Sequence, residues 1–220
     1  MILDLHSHIV FGVDDGAPTL DESKKMLDAA AAVGITHICA TPHVYAGRFH
    51  PARYLERFSE VKREAVERRI ALVRGYELSM GVLEEEGAAA APRFCIEGTR
   101  NLLVEFLPGA NISPRSIYLL DEVLRKNIVP VIAHPERCRA LRGDKEILNE
   151  LVNMGCRFQV TARVMRTFFK PEFVRRLDKH GQLDFLGVDA HTVSDYTYAA
   201  PVIKRYPELF SGRGLEFVTK

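Results

Sequence analysis

The sequence predicts an α/β barrel of parallel strands, and three observations carry that prediction. Short apolar runs alternate with longer helical patterns about seven times along the 220 residues. Six of the short runs end in histidine or carboxylate residues. No GxGxxG, phosphate-binding P-loop, internal repeat or low-complexity segment interrupts the alternation. Units of this kind form right-handed βαβ crossovers and hence a parallel sheet. In a closed barrel all the strand ends ring one mouth, whereas an open doubly wound sheet gathers only those near its switch point. The expected fold is a distorted (β/α)7 barrel, one domain over residues 1–220, with a metal site at the C-terminal ends of the strands.

The elements follow in order. ILDL at residues 2–5 is a strand that runs into His6 and His8. Thr19 and Glu22 have capping-box spacing, so a helix starts after Thr19 and stops at Gly34. Residues 35–40 make the second strand. Pro51 suits a first helical turn, and Tyr54, Phe58, Val61, Ala65 and Val66 recur at helical spacing. IALVRGY leads to Glu77, and MGVLEEEGAAAAPR fits a short helix followed by a loop. NLLVEF ends near Glu105. Ser113 and Pro114 open a helix through LLDEVLRK, and IVPVIA leads into His134. A helix over residues 144–154 ends at Gly155, with RFQV as the next strand. A helix from Pro171 stops near Gly181, DFLGV ends at Asp189, and a last helix covers roughly residues 199–206.

Bulk composition excludes some functions. A formal net charge of +1 gives no general pull toward nucleic acid or an anionic membrane. The N-terminus has no basic region followed by an apolar run, and no stretch is long enough to span a bilayer, so a cytoplasmic protein without membrane insertion is expected. Cys39, Cys95, Cys138 and Cys156 form no CxxC pair and read as reduced core residues. None has an arginine six residues later, which excludes the phosphate loop of cysteine-dependent phosphatases.

The motifs at the strand ends point to a pooled metal site. HSH places His6 and His8 on one side of a strand, because side chains alternate with period two. DAH repeats that spacing with Asp189 and His191. TPH ends at His43, and AHPER begins with Ala133 and His134. Glu77 and Glu105 each end an apolar run, a costly position for a carboxylate unless a cation pairs with it. Of Asp14 and Asp15, which precede Gly16, Asp15 is taken as a ligand and Asp14 as a turn former. His37, His50 and His180 fit structural roles, and Glu84, Glu85 and Glu86 fit a solvated surface run.

HSHIVFGVDDG, ATPH, GYE, LLVEF, PVIAHPER and GVDAH resemble motifs of the PHP (polymerase and histidinol phosphatase) superfamily. Within it they most resemble the bacterial metal-dependent tyrosine-protein phosphatases of capsule and exopolysaccharide loci. The resemblance runs from His6 to about His191. It implies three divalent cations, manganese first, with iron and zinc compatible with the donor set. His6, His8, Glu77 and Asp189 would hold one. Glu77 would bridge to a second with Glu105 and His134, and Asp15, His43 and His191 would hold the third. Arg137 would grip the substrate phosphate and, with Asp189 and His191, form the catalytic set. The implied reaction is in-line hydrolysis of a phosphomonoester without a covalent phosphoenzyme. The implied partner is a phosphotyrosine protein, a tyrosine autokinase of polysaccharide export, with homo-oligomerisation left open. The relatives commonly carry a second phosphate-binding arginine after DAH, but HTVSDYTYAAP has none. Arg48, Arg139 and Arg163 are the candidates to replace it, with Arg48 taken as a substrate-binding residue. The alternative readings are a small-molecule enzyme such as histidinol-phosphate phosphatase, and a metal-binding regulatory module without turnover.

Overall fold

The computed structural model describes residues 1–166, 170–213 and 215. Its strands pair in parallel throughout. Strand β1 (Leu3–Ser7) pairs with β2 (His37–Ala40), and β2 with β4 (Ala71–Arg74). A second run pairs β3 (His43–Val44), β5 (Glu77–Ser79), β6 (Asn101–Glu105), β7 (Val129–Ala133), β8 (Arg157–Thr161) and β9 (Phe185–Gly187) in that order. The expected second strand is followed, past Thr41–Pro42, by the two-residue β3, and the run leading to Glu77 is interrupted at Gly75–Tyr76 between β4 and β5. The breaks are bridged by bonds from Gly75 N–H to Ala40 O and from Glu77 N–H to Pro42 O. The Tyr54 hydroxyl lies 3.0 Å from both Ala40 O and Gly75 O and pins them together. The ladder does not close regularly. The last segment meets the first through a single Ser7–Ala190 bridge, with Asp189 N–H bonding His6 O and His8 N–H bonding Ala190 O. Among the described residues, seven strand segments, with β2/β3 and β4/β5 each counted once, thus form a distorted α/β barrel that is not fully closed at this seam.

The helices pack outside. Helix α1 (Leu20–Ala32) has the expected Thr19 cap on Glu22 N–H, but only half of the expected box. The Glu22 carboxylate is drawn to Lys25 at 2.6 Å. Helix α2 (Pro51–Glu67) begins at the expected proline. Helix α3 (Met80–Glu86) is followed by a 3₁₀ segment, Ala88–Phe94, where a loop was expected. Helix α4 (Pro114–Arg125) starts from a Ser113 cap. Two short helices, α5 (Arg139–Gly143) and α7 (Ala162–Met165), went unread, being too short to show periodicity. Helices α6 (Lys145–Met154) and α8 (Glu172–Lys179) stand as expected, α6 ending at Gly155 with φ 101°. The final helix, α9 (Val193–Arg205), starts six residues before the expected 199, because Thr192 and Asp195 form a capping box. All four cysteines are free.

The barrel interior is layered. Leu3, Leu5, Cys39, Leu103, Val131, Ala133 and Phe185 fill its lower part as a separate buried cluster. Continuing along the same faces with period two, Glu105 and Gly187 reach the upper part. Strand β1 breaks this parity. Its register shifts between Asp4 and Ser7, and the buried Asp4 carboxylate accepts N–H bonds from His6 (3.3 Å) and Val188 (2.8 Å). The irregularity lets Leu5 and His6 both face inward, while the Ser7 hydroxyl bonds Tyr196 on α9. Gly187 has no room for a side chain. A Cβ there would lie 2.7 Å from Gln159 Nε2 and 2.9 Å from His6 Cβ.

Candidate metal centre

The nine expected ligands converge at the barrel mouth. His6 Nε2 lies 3.1 Å from His8 Nε2, 3.2 Å from Glu77 Oε2 and 3.4 Å from Asp189 Oδ1. His8 Nε2 lies 3.4 Å and 3.3 Å from the same two oxygens. His134 Nε2 is 2.6 Å from Glu77 Oε1 and 3.9 Å from Glu105 Oε1. His43 Nδ1 is 2.8 Å from Glu77 Oε2, and its Nε2 is 3.5 Å from Asp15 Oδ1. His191 Nε2 is 3.4 Å from that Asp15 oxygen. Three overlapping groups can each surround a cation: His6, His8 and Glu77; His43, Glu77 and Glu105; and His8, Asp15, His43 and His191. The grouping departs from the expected partition: Asp189 falls outside the His6–His8–Glu77 group and His134 outside the Glu77–Glu105 group. His43 also reaches the Glu77–Glu105 pair, and His8 also joins the outer group.

The imidazole tautomers are set from behind. Gln159 Nε2 donates to Val160 O, which leaves Oε1 to accept from His6 Nδ1 at 2.9 Å. Asp14 Oδ2 accepts from His8 Nδ1 at 2.7 Å and from His43 N–H at 3.0 Å. With both Nδ1 atoms engaged from behind, the Nε2 atoms of His6 and His8 face each other across 3.1 Å of fully buried space, where a proton on each would repel the other. A cation resolves that repulsion, and orienting imidazoles from the opposite nitrogen is how protein metal sites hold them. Glu77 Oε2 is surrounded by ring nitrogens of His6, His8 and His43, and Asp189 Oδ2 is met by Arg137, so the carboxylates are held by positive or polar groups on every side. The oxygen and imidazole donors therefore fit divalent manganese, iron or zinc.

Without a cation the cluster holds protons. Burial pulls the His6 imidazole down, but Glu77 and Asp189 outweigh it and hold it up at about 9. His8 is held well above its usual value, with Asp14, Asp189 and Glu77 overcoming its burial, and His43 is raised by Glu77. Burial opposes the charged Glu77, yet His6 and bonds from His134 and His43 hold its carboxyl well below the usual range. Asp189 is lowered against its burial by His6 and His8, whereas burial and the neighbouring Glu77 push Glu105 up.

Backbone strain sits on two of these residues. His134 (φ 27°) and Asp189 (φ 57°) are non-glycine residues at positive φ, just after β7 and β9. Such conformations cost on the order of 1–3 kcal/mol each and are retained where the surrounding structure enforces them. After His134 the chain turns tightly, with Arg137 N–H bonding His134 O. Glu136 ties the turn to β8 by accepting from Thr161 N–H (2.9 Å) and the Thr161 hydroxyl (2.7 Å). Arg137 is thereby presented at the rim, with Nη2 2.5 Å from Asp189 Oδ2.

Two cavities flank the cluster. One, of about 230 Å³, is lined by Arg137, Arg163, Thr161, Asp189, His191 and Asp195. The other, of about 330 Å³, is lined by Asp14, Asp15, His43, Tyr45 and Arg48. Arg139 borders a separate groove of about 560 Å³ between residues 109–112 and α5–α6, which contains none of the nine ligands. Of the three candidate arginines, only Arg163 shares a cavity with Arg137. The sequence reading missed Asp14, Gln159, Glu136 and Tyr45, whose hydroxyl lies 3.3 Å from Glu105 Oε2 and 3.2 Å from His43 Nδ1. Asp14 stood in the DDG motif but was read only as a turn former, and Gln159 carries no local signal.

A family model described as capsular polysaccharide synthesis, CpsB/CapC, matches residues 2–209. The tyrosine-protein phosphatase CpsB of Streptococcus agalactiae is 36% identical over 168 residues, spanning 73% of this chain and 68% of that protein. The tyrosine-protein phosphatase YwqE of Bacillus subtilis is 31% identical over 199 residues, spanning 87% and 78%. A solved structure from work on YwqE of Bacillus subtilis and CpsB of Streptococcus pneumoniae, described as metal-dependent tyrosine phosphatases, superposes with a TM-score of 0.77. It covers 100% of both chains at 25% identity.

Proposed function

Because the chain belongs to the CpsB/CapC family of capsular polysaccharide synthesis proteins, we propose that it is a metal-dependent protein-tyrosine phosphatase. The observation that carries this reading is the pair of buried Nε2 atoms of His6 and His8, facing each other and the oxygens of Glu77 and Asp189. We assign three divalent cations, manganese first, to the site. His6, His8, Glu77 and Asp189 hold one, Glu77, Glu105 and His134 the second, and Asp15, His43 and His191 the third. When bound, the cations supply an activated water and neutralise charge on the phosphoryl oxygens.

The chain's own groups do the rest. Asp14 and Gln159 keep His8 and His6 in the ligating tautomer. Arg137, with its side chain 44% exposed at the rim, offers a planar fork of donors to phosphoryl oxygens. The phenol that leaves has a pKa near 10, so it needs less help from a general acid than an alkanol does. The mouth is open on one side, where Asp15 is 72% exposed, which suits a phosphotyrosine carried on a protein better than a small molecule sealed in a pocket. The proposed substrate is a cytoplasmic tyrosine autokinase of polysaccharide export.

Metal analysis of protein purified without chelator and reconstituted with manganese tests the site, and more than one metal per chain is expected. Turnover of a phosphotyrosine peptide beside histidinol phosphate tests the substrate. Preference for histidinol phosphate would replace the protein-phosphatase reading. Full metal loading with turnover of neither would make the protein a binding module.

A further inference from the structure

Beyond the cavity that Arg137 and Arg163 share, α7 and α9 carry an unusual arrangement of cations. The Arg163 guanidinium lies 5.3 Å from the centre of the Tyr198 ring, and the Arg166 guanidinium 4.1 Å from the same centre. Arg166 Nη1 donates to Tyr198 O at 3.2 Å, which holds it against that ring. Arg163 is 67% exposed and reaches one carboxylate, Asp195 Oδ1, at 3.4 Å. The other oxygen of Asp195 is occupied by the N–H groups of His191 and Thr192 and the Thr192 hydroxyl. Arg166 forms no ion pair with any described carboxylate. The fold therefore holds two guanidiniums on one aromatic ring, with a single, partly committed acid paired to Arg163.

An arginine stacked on an aromatic ring keeps its in-plane N–H donors free for an anion. Two like charges on one ring repel until an anion joins them. Because Arg163 also lines the Arg137 cavity, the ridge begins where a phosphoryl group would sit and leads away from it. We propose that Arg163, Arg166 and Tyr198 recognise an anionic residue flanking the target phosphotyrosine, either an aspartate or glutamate or a second phosphotyrosine. The ridge selects the substrate peptide, while Arg137 serves the reacting phosphoryl group. The proposal rests on the phosphotyrosine reading above.

The test uses manganese-loaded protein and fluorescein-labelled peptides that carry a non-hydrolysable phosphonate analogue of phosphotyrosine. The flanking positions hold asparagines, aspartates, or a second phosphonate residue, and binding is read by fluorescence anisotropy. The wild-type chain should bind the anionic peptides about five-fold more tightly than the asparagine peptide, the size that one or two exposed charged contacts supply. The preference should shrink with added salt. Whichever anionic peptide binds more tightly identifies the source of the charge. Arg166→Ala and Arg163→Ala should each narrow the preference, Arg166→Lys should restore part of it, and Arg166→Glu should abolish it. Equal binding of all three peptides by the wild-type chain overturns the proposal. So does an Arg163→Ala variant that loses affinity equally for all three, since that arginine would then serve the phosphoryl group itself. Turnover of 4-nitrophenyl phosphate by the wild-type protein is measured separately. Its absence would sink the phosphatase reading, while the anisotropy data would still decide whether the ridge binds anions.

Discussion

Glu77→Gln tests the centre of the site. The Glu77 side chain is fully buried and lies within 3.4 Å of ring nitrogens of His6, His8, His43 and His134. Glutamine keeps the shape but removes the charge and turns one oxygen into a donor. Two unit charges about 4 Å apart interact by on the order of 4 kcal/mol at an effective dielectric near 20, a lower bound for a carboxylate beside a divalent cation. Losing that interaction at a residue shared by two cations should therefore weaken each by roughly three orders of magnitude or more in affinity. Elemental analysis after dialysis against submicromolar manganese should find two sites depleted, and turnover of a phosphotyrosine peptide should fall to background. A second readout needs no metal. In the metal-free protein Glu77 is the leading cause that lifts His6 to about 9, so the His6 titration followed by NMR should move down in the variant. Wild-type metal content together with wild-type turnover would refute the bridging role, and an unmoved His6 titration would refute the electrostatic reasoning.

Three further outcomes are expected. Arg137→Ala should lower kcat/KM for phosphotyrosine peptides by about 30- to 150-fold, the worth of a charged hydrogen-bonding group of roughly 2–3 kcal/mol. Metal content should hold, because no cation is assigned to arginine; a wild-type rate would place the phosphate grip elsewhere. Asp14→Asn removes the charged acceptor behind His8 and should weaken metal binding about 10- to 100-fold with the fold intact, as judged by circular dichroism and manganese titration. Metal affinity should rise with pH, and the sign follows from the raised imidazoles. His6, at about 9, holds its proton at neutral pH in the metal-free protein, and His8 and His43 are shifted in the same direction by the neighbouring carboxylates. A cation must displace such protons, so affinity should increase about ten-fold per pH unit for each proton released until pH approaches 9. Calorimetry in two buffers of different ionisation enthalpy counts those protons, and affinity that is flat from pH 6 to 9 would contradict the assignment.

The sequence by itself determined the alternation of strands and helices, the parallel sheet, and the residues that meet at its mouth. That was legible because hydrophobic period, cap residues and strand-end motifs are local. His6, His8, Asp189 and His191 advertise themselves by spacing, and Glu77 and Glu105 by the apolar runs they terminate. Tertiary structure decided what pairs across distance. Gln159 lies 153 residues from the His6 ring it orients, and no window of sequence contains both. Strict alternation from Leu3 and Leu5 would have turned His6 outward. Only the register shift braced by Asp4, itself bonded to Val188 across the barrel seam, brings it in. Which arginine stands beside Arg137 was likewise undecidable from spacing. Arg48, Arg139 and Arg163 follow different strands, and which of them share a cavity depends on how the barrel curves and where the chain turns after β8. Residue type and period are properties of the chain, whereas a hydrogen-bond partner or a shared cavity exists only once distant segments are brought together.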